Sequence, residues 1–336
     1  VTGLLLAAAG AAAIWIPQPS GAEAELRGLS VLDAEHAWAS GSGGTVLHTT
    51  DGRSWETVAV PGGEGLDFRD VEAPSRNAVV LMSAGPGDRS RIYRSSDGGK
   101  RCTLAHTNPD SDGFYDAIAF WDERHGIVLG DPVGGRFVVR VTEDGGATWA
   151  PPPGLAMPEA LAGEGAFAAS GTCLFAFAGG QDAWFVTGGA KPARVFHTSD
   201  RGRRWTAAAT PLLPANASSG LFSVVFLDAR RGVAVGGDYK DARIAGLNGV
   251  RTGDGGAAWT AAPVAPAGYY SAAAAVPGPD DRLVAVGLAG TAESRDGGRT
   301  WTVLDAAPWN AVAFGRDGSG FAVGPRGAIG RFGAGK

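Results

Sequence analysis

Apolar residues along this chain fall in short, strand-like runs separated by polar turns, not at helical spacing. Three stretches show the pattern: "FYDAIAFWDERHGIVLGD" (114–131), "LFSVVFLDARRGVAVGGD" (221–238) and "WNAVAFGRDGSGFAVG" (309–324). Each reads as a strand, a polar turn and a second strand ending at Gly. A third strand follows, then a recurring octet, then a fourth strand. The octets are "SSDGGKRC" (95–102), "TEDGGATW" (142–149), "TSDRGRRW" (198–205), "TGDGGAAW" (252–259) and "SRDGGRTW" (294–301), with a shortened "TTDGRSW" at 49–55. No long amphipathic helical segment interrupts them.

Self-similarity at a period of 40–50 residues predicts a propeller or a solenoid, and four short antiparallel strands per unit are the makings of a propeller blade. First-strand segments begin near Leu26, Phe68, Phe114, Cys173, Phe222, Tyr270 and Trp309, which makes seven units. The seventh lacks an octet and a fourth strand. Residues 14–19, with Trp15 and Pro17, resemble the segment after each octet and are expected to supply that missing strand. The fold class is therefore all-β: a seven-bladed β-propeller of four-stranded antiparallel blades over residues 14–336, with blade seven closed by 14–19.

The octet has a structural reading at every position. Gly tolerates the positive φ of a tight turn, Asp and Ser or Thr accept local N–H groups, and Trp covers the gap between sheets. The residues so assigned are Asp51, Asp97, Asp144, Trp149, Asp200, Trp205, Asp254, Trp259, Asp296 and Trp301. Six copies argue against catalysis, which needs one constellation. Cys102 replaces Trp in the second copy and the first is one residue short, so blades one and two are expected to be looser there.

These octets resemble Asp-box repeats, also called bacterial neuraminidase repeats. The seven-unit pattern is similar to that of the photosystem II stability/assembly factor-like propellers, over essentially residues 14–335. That resemblance implies a non-catalytic binding or assembly factor; the oxidoreductase label carried by some similar proteins has no support in the residues. Glycosidases of the sialidase kind share the boxes and are the alternative. Their Phe-Arg-Ile-Pro signature is absent, with "DFRDVE" (67–72) the nearest stretch, though two acids from different loops could still converge.

Composition narrows the function further. A net charge of -5 without a basic run argues against nucleic acid. The start is apolar from Leu4 to Ile16, too short for a stable membrane span and suited to the core of a secretory signal. Residues 1–13 thus read as a signal-peptide remnant, with cleavage near Ala13 or none, and the expected location is periplasmic or secreted. The two cysteines and five scattered histidines form no ligand pattern, so no metal or cofactor is expected. "NPDSDGFYD" (108–116) carries the first half of a calcium loop but has Ala119 where the bidentate Glu belongs, which leaves calcium open.

Chain direction alternates within a blade, so the octets share one face. The long loops share the other: 130–136, 151–170, 188–194, 211–220 and 236–248. Binding residues concentrate on long loops. The candidates are Asp131, Arg136, Glu164, Lys191, Arg194, Asn216, Ser219, Asp238, Tyr239 and Lys240, mostly from blades three to five. A monomer with a protein or glycan partner on that face is expected, Tyr239 being its aromatic anchor.

Overall fold

Strands dominate because each run is short, alternating and bounded by Gly-rich turns; the only helical elements among the described residues are three-residue 3-10 turns. The computed structural model describes residues 14–244, 246 and 248–333. The expected signal remnant at 1–13 lies outside them. Seven antiparallel sheets follow one another in chain order, and each innermost strand packs beside the next, the last against the first. The result is a seven-bladed propeller. The innermost strands are Leu26–Val31, Asp67–Glu72, Tyr115–Phe120, Leu174–Ala176, Ser219–Phe226, Ala272–Ala275 and Ala311–Phe314.

Blade seven takes its outer strand from the other end of the chain. Trp15–Gln18 pairs antiparallel with Ile329–Phe332, from Trp15↔Phe332 to Gln18↔Ile329. Trp15 is buried and its Nε1 donates to Thr291 Oγ1 of blade six at 2.9 Å.

Blade three departs from four strands. Its outer strand is reduced to one bridge between Val141 and Ala150, with N–H···O distances of 2.8 and 3.1 Å. Pro151, Pro152 and Pro153 follow at once. Proline has no N–H to continue a ladder.

The core lies between blades, and the octets set the spacing. In each full octet the hydroxyl of the first residue donates to the Asp Oδ1 and accepts the N–H of the Gly four residues on, as Thr142 does from Gly146 at 2.9 Å. The Asp Oδ1 then accepts an N–H four residues on, as Asp144 does from Thr148. The short first copy makes the same closure with Asp51 accepting from Arg53 and Ser54. These N–H groups hold the Asp51 carboxyl down at about 2. The turn then touches the preceding blade. A Cβ on Gly146 would lie 2.8 Å from Val80 Cγ2, and one on Gly298 would lie 2.5 Å from Val233 Cγ2. Trp149 shares one buried cluster with Val80, Met82 and Ile92 of blade two. Cys102 takes the Trp position in blade two and is itself buried.

Candidate functional site

A bulge in an antiparallel pair re-aims the side chain of the extra residue. In four innermost strands the register slips by one residue, and the extra residues are Arg27, Arg69, Asp116 and Phe222. All four line a single cavity of about 1080 Å³ at the mouth of the central channel. The rest of its wall comes from second-to-third-strand loops and blade connectors, so it opens on the face opposite the octets.

The connector between blades three and four shapes this cavity. It does not pass straight to its own blade. Phe167 stacks on Phe222 with ring centroids 4.0 Å apart, and Phe222 meets Tyr269 edge-on at 4.8 Å. Across the mouth, the Ala168 carbonyl accepts from Arg69 Nη1 at 3.0 Å and the Ala169 carbonyl from Arg27 Nη1 at 3.4 Å. The next residues enter the channel. Ser170 donates to the Ser271 carbonyl of blade six at 2.8 Å. Thr172 donates to Ser223 of blade five at 2.8 Å. Gly171 lies so near Asp70 of blade two that a Cβ would sit 2.3 Å from the carboxylate. The connector therefore floors the cavity and fills the channel beneath it.

Charge is divided across the mouth. On one side Arg27 and Arg69 lie together; Arg69 Nε also donates to Asp67 at 2.7 Å. Burial, then the Arg69 guanidinium, push Arg27 down, yet a guanidinium stays charged at neutral pH. On the other side Asp116 and Asp131 of blade three are both raised by burial. Asp131 reaches about 6, and Asp116 stands well above the usual carboxylate range, with Asp131 adding to its shift. Deeper in the channel, burial lifts Asp70 to about 7 although it accepts the N–H groups of Ile118 and Val71.

Of the residues expected from sequence, Asp131, Glu164 and Tyr239 line this cavity. Glu164 is buried and holds the connector in place. It pairs with Arg194, whose Nε donates to Oε1 at 2.9 Å, and it accepts from Thr187 Oγ1 at 2.7 Å. Asp238 knits its own loop, accepting from Asn216 Nδ2 at 2.8 Å and Ser218 Oγ at 2.7 Å. The Ser219 hydroxyl donates to the Asn216 carbonyl. Arg136 pairs with Glu159 at 2.9 Å away from the cavity, and Lys191 is exposed. The Lys240 ammonium sits 6.0 Å over the exposed Tyr239 ring. In the 108–116 stretch, Arg140 engages Asp110 at 3.1 Å; among the described residues no three His, Cys, Asp or Glu side chains converge.

Arg27, Arg69, Asp116, Phe222 and Tyr269 were not among the sequence candidates. A signal exists: Arg27 follows Leu26, Arg69 follows Phe68 and Asp116 follows Tyr115, a charge at the same place in otherwise apolar innermost strands. The bulge that turns this place into the channel mouth has no such mark.

No known protein family and no curated protein matches the chain. Solved structures do. A structure described as YCF48 bound to D1 peptide is 17% identical, with a TM-score of 0.67 over 95% of this chain and 97% of that one. YCF48 from Cyanidioschyzon merolae is 18% identical, with a TM-score of 0.62 over 95% of this chain and 99% of that one. The Niastella koreensis GH74 enzyme is 13% identical, with a TM-score of 0.59 over 93% of this chain and 44% of that one. At these identities the likeness establishes the fold.

Proposed function

We propose that this chain is a non-catalytic binding propeller of the assembly-factor kind, and that its partner is a protein segment inserted at the channel mouth. One observation carries the reading. Arg27 and Arg69 already hold main-chain carbonyls, those of Ala169 and Ala168, beside an aromatic wall. Guanidiniums that hold main-chain carbonyls of a connector turn are suited to hold a partner's backbone carbonyls or terminal carboxylate in the same way. The likeness to YCF48 bound to D1 peptide supports a peptide ligand for this architecture. The octets are read as Asp boxes on their shared hydrogen bonds, and they serve spacing. The protein acts as a monomer in the periplasm or outside the cell; no helix among the described residues is long and apolar enough to cross a membrane.

The test is peptide selection. The immobilised chain is exposed to a random peptide library, beside the Arg69→Ala and Tyr239→Ala variants. Enrichment by the wild type that falls about tenfold in Arg69→Ala, about one lost charged hydrogen bond, is expected. No enrichment, or the same set from the variant, would sink the reading. Export is checked with a C-terminal alkaline phosphatase fusion, active only in an oxidising compartment.

A glycoside hydrolase is the second reading, favoured by two carboxylates of unequal acidity in one cavity, Asp116 and Asp131. Turnover of an aryl glycoside by the wild type, lost in Asp131→Asn, would replace the binding reading.

A further inference from the structure

The acid wall of the cavity remains unused once Arg27 and Arg69 are given to a backbone or carboxylate. Asp116 is 1% exposed, and its Oδ2 has no hydrogen-bond partner. An orphaned buried carboxylate oxygen costs free energy unless something completes it. Asp131 lines the same cavity, is half-buried, and uses Oδ1 to accept the Ala166 N–H at 3.0 Å, which leaves Oδ2 for a ligand. Arg69 lies near enough to favour the ionised form of Asp116 in part, but it bonds neither acid, since its own hydrogen bonds go to Asp67 and the Ala168 carbonyl. The aromatic wall of Phe167, Phe222 and Tyr269 belongs to the same cavity.

We propose that Asp116 and Asp131 form a subsite for a primary ammonium group of the ligand, seated against this aromatic wall. Two acid oxygens suit an ammonium, which donates three hydrogen bonds, and ring faces attract a cation. A metal ion is the poorer fit, since no three ligating side chains converge there among the described residues. The proposal rests on the protein-segment reading for the source of the ammonium, a lysine side chain or a chain N-terminus, but not for its chemistry.

Binding is coupled to protons. Asp116 faces Asp131 of its own blade, Arg69 of blade two, the Ala168 N–H of the connector and Cys173 of blade four, which Asp70 of blade two also faces. Burial holds both members of the pair toward the protonated form. An ammonium between them favours the ionised form, so its arrival near pH 6 releases protons.

The experiment uses the full chain and four probes in isothermal titration: phenylalanine amide, Nα-acetyl-lysine amide, Nα-acetyl-phenylalanine amide and calcium chloride. The first two offer a main-chain and a side-chain ammonium; the third is neutral. At least one ammonium probe is expected to bind roughly tenfold tighter than the neutral one, equivalent to about one unit of pKa coupling. The same loss is expected in Asp131→Asn and in Asp116→Asn, each checked for folding by thermal melting. Equal binding of the neutral probe, displacement by calcium, or undiminished binding in Asp131→Asn would overturn the proposal. If Asp116→Asn does not fold, titration of the wild type in two buffers of different ionisation enthalpy decides, and identical heats defeat it. Ammonium binding without peptide enrichment retains this subsite and removes the peptide reading. Peptide enrichment indifferent to Asp131→Asn does the reverse.

Discussion

At the residue scale, one glycine position separates backbone strain from close approach. Gly146 has φ +86° and sits against Val80, whereas Gly134, at φ +61° in the blade-three loop, has nothing within 4 Å of an added Cβ. Both substitutions to Ala incur the left-handed penalty, but only the first also drives into the neighbouring blade. Gly134→Ala is expected to cost about 1 kcal/mol and Gly146→Ala about 3 kcal/mol in chemical denaturation. Equal costs would mean that the octet is a local turn without a spacing role. Acidity gives a second test at this scale. Asp131 is raised from 3.8 to about 6, so its contribution is complete below pH 4 and is lost as pH rises through 6. The octet carboxyls Asp51, Asp97, Asp144, Asp254 and Asp296 are lowered, so their contribution is present above pH 4 and is lost as pH falls. Thermal melting across pH should show a maximum between these limbs. Asp131→Asn should make the limb from pH 4 to 6 shallower, with the raised Asp70 and Asp116 sustaining the remainder, and leave the acid limb unchanged.

At the element scale, five blades present an octet Trp at a sheet interface, Cys102 taking that place in blade two and blade seven having no octet. Trp205 of blade four shares one buried cluster with Ile127, Leu129 and Val139 of blade three. Trp205 of blade four is buried, packs against Phe185 at 5.0 Å and bonds the Gly202 carbonyl through Nε1 at 2.9 Å. Trp205→Ala is expected to cost about 3–5 kcal/mol, measured as the shift of the denaturation midpoint. A cost under about 1 kcal/mol would show that the interface repacks without it. Much of this was legible in the chain, because each octet encodes its own turn in consecutive residues and repeats it. The seven inner strands were legible for the same reason. Blade three's missing outer strand was written in Pro151–Pro153, yet the repeat pattern outweighed it. The cavity was harder to read. Arg69 lies in "DFRDVE", which as sequence is one repeat strand among seven; its place at the mouth depends on a bulge and on a connector reaching from blade four's side. Contacts such as Ala168 to Arg69 span about a hundred residues, and no local pattern announces them.

At the scale of the whole molecule, ring closure rests on Trp15–Gln18 against Ile329–Phe332. Trp15→Ala removes a buried indole and the bond to Thr291, and should cost about 3–5 kcal/mol, with greater proteolytic cutting in blade seven than elsewhere. An unchanged cutting pattern would mean that the ring stays closed without this side chain. The pairing has a mechanical consequence. The strands are antiparallel, and the Gly333 N–H bonds the Ile14 carbonyl at 2.9 Å, so the two ends of the described chain leave the rim at the same point. A tensile load applied through both ends peels the pair one rung at a time, instead of shearing all rungs together. In an optical trap the first rupture should come at low force and lengthen the molecule by little more than those few residues, while loads applied between other blades meet the rungs in parallel. The seam that completes the circle is thus its softest direction under pull.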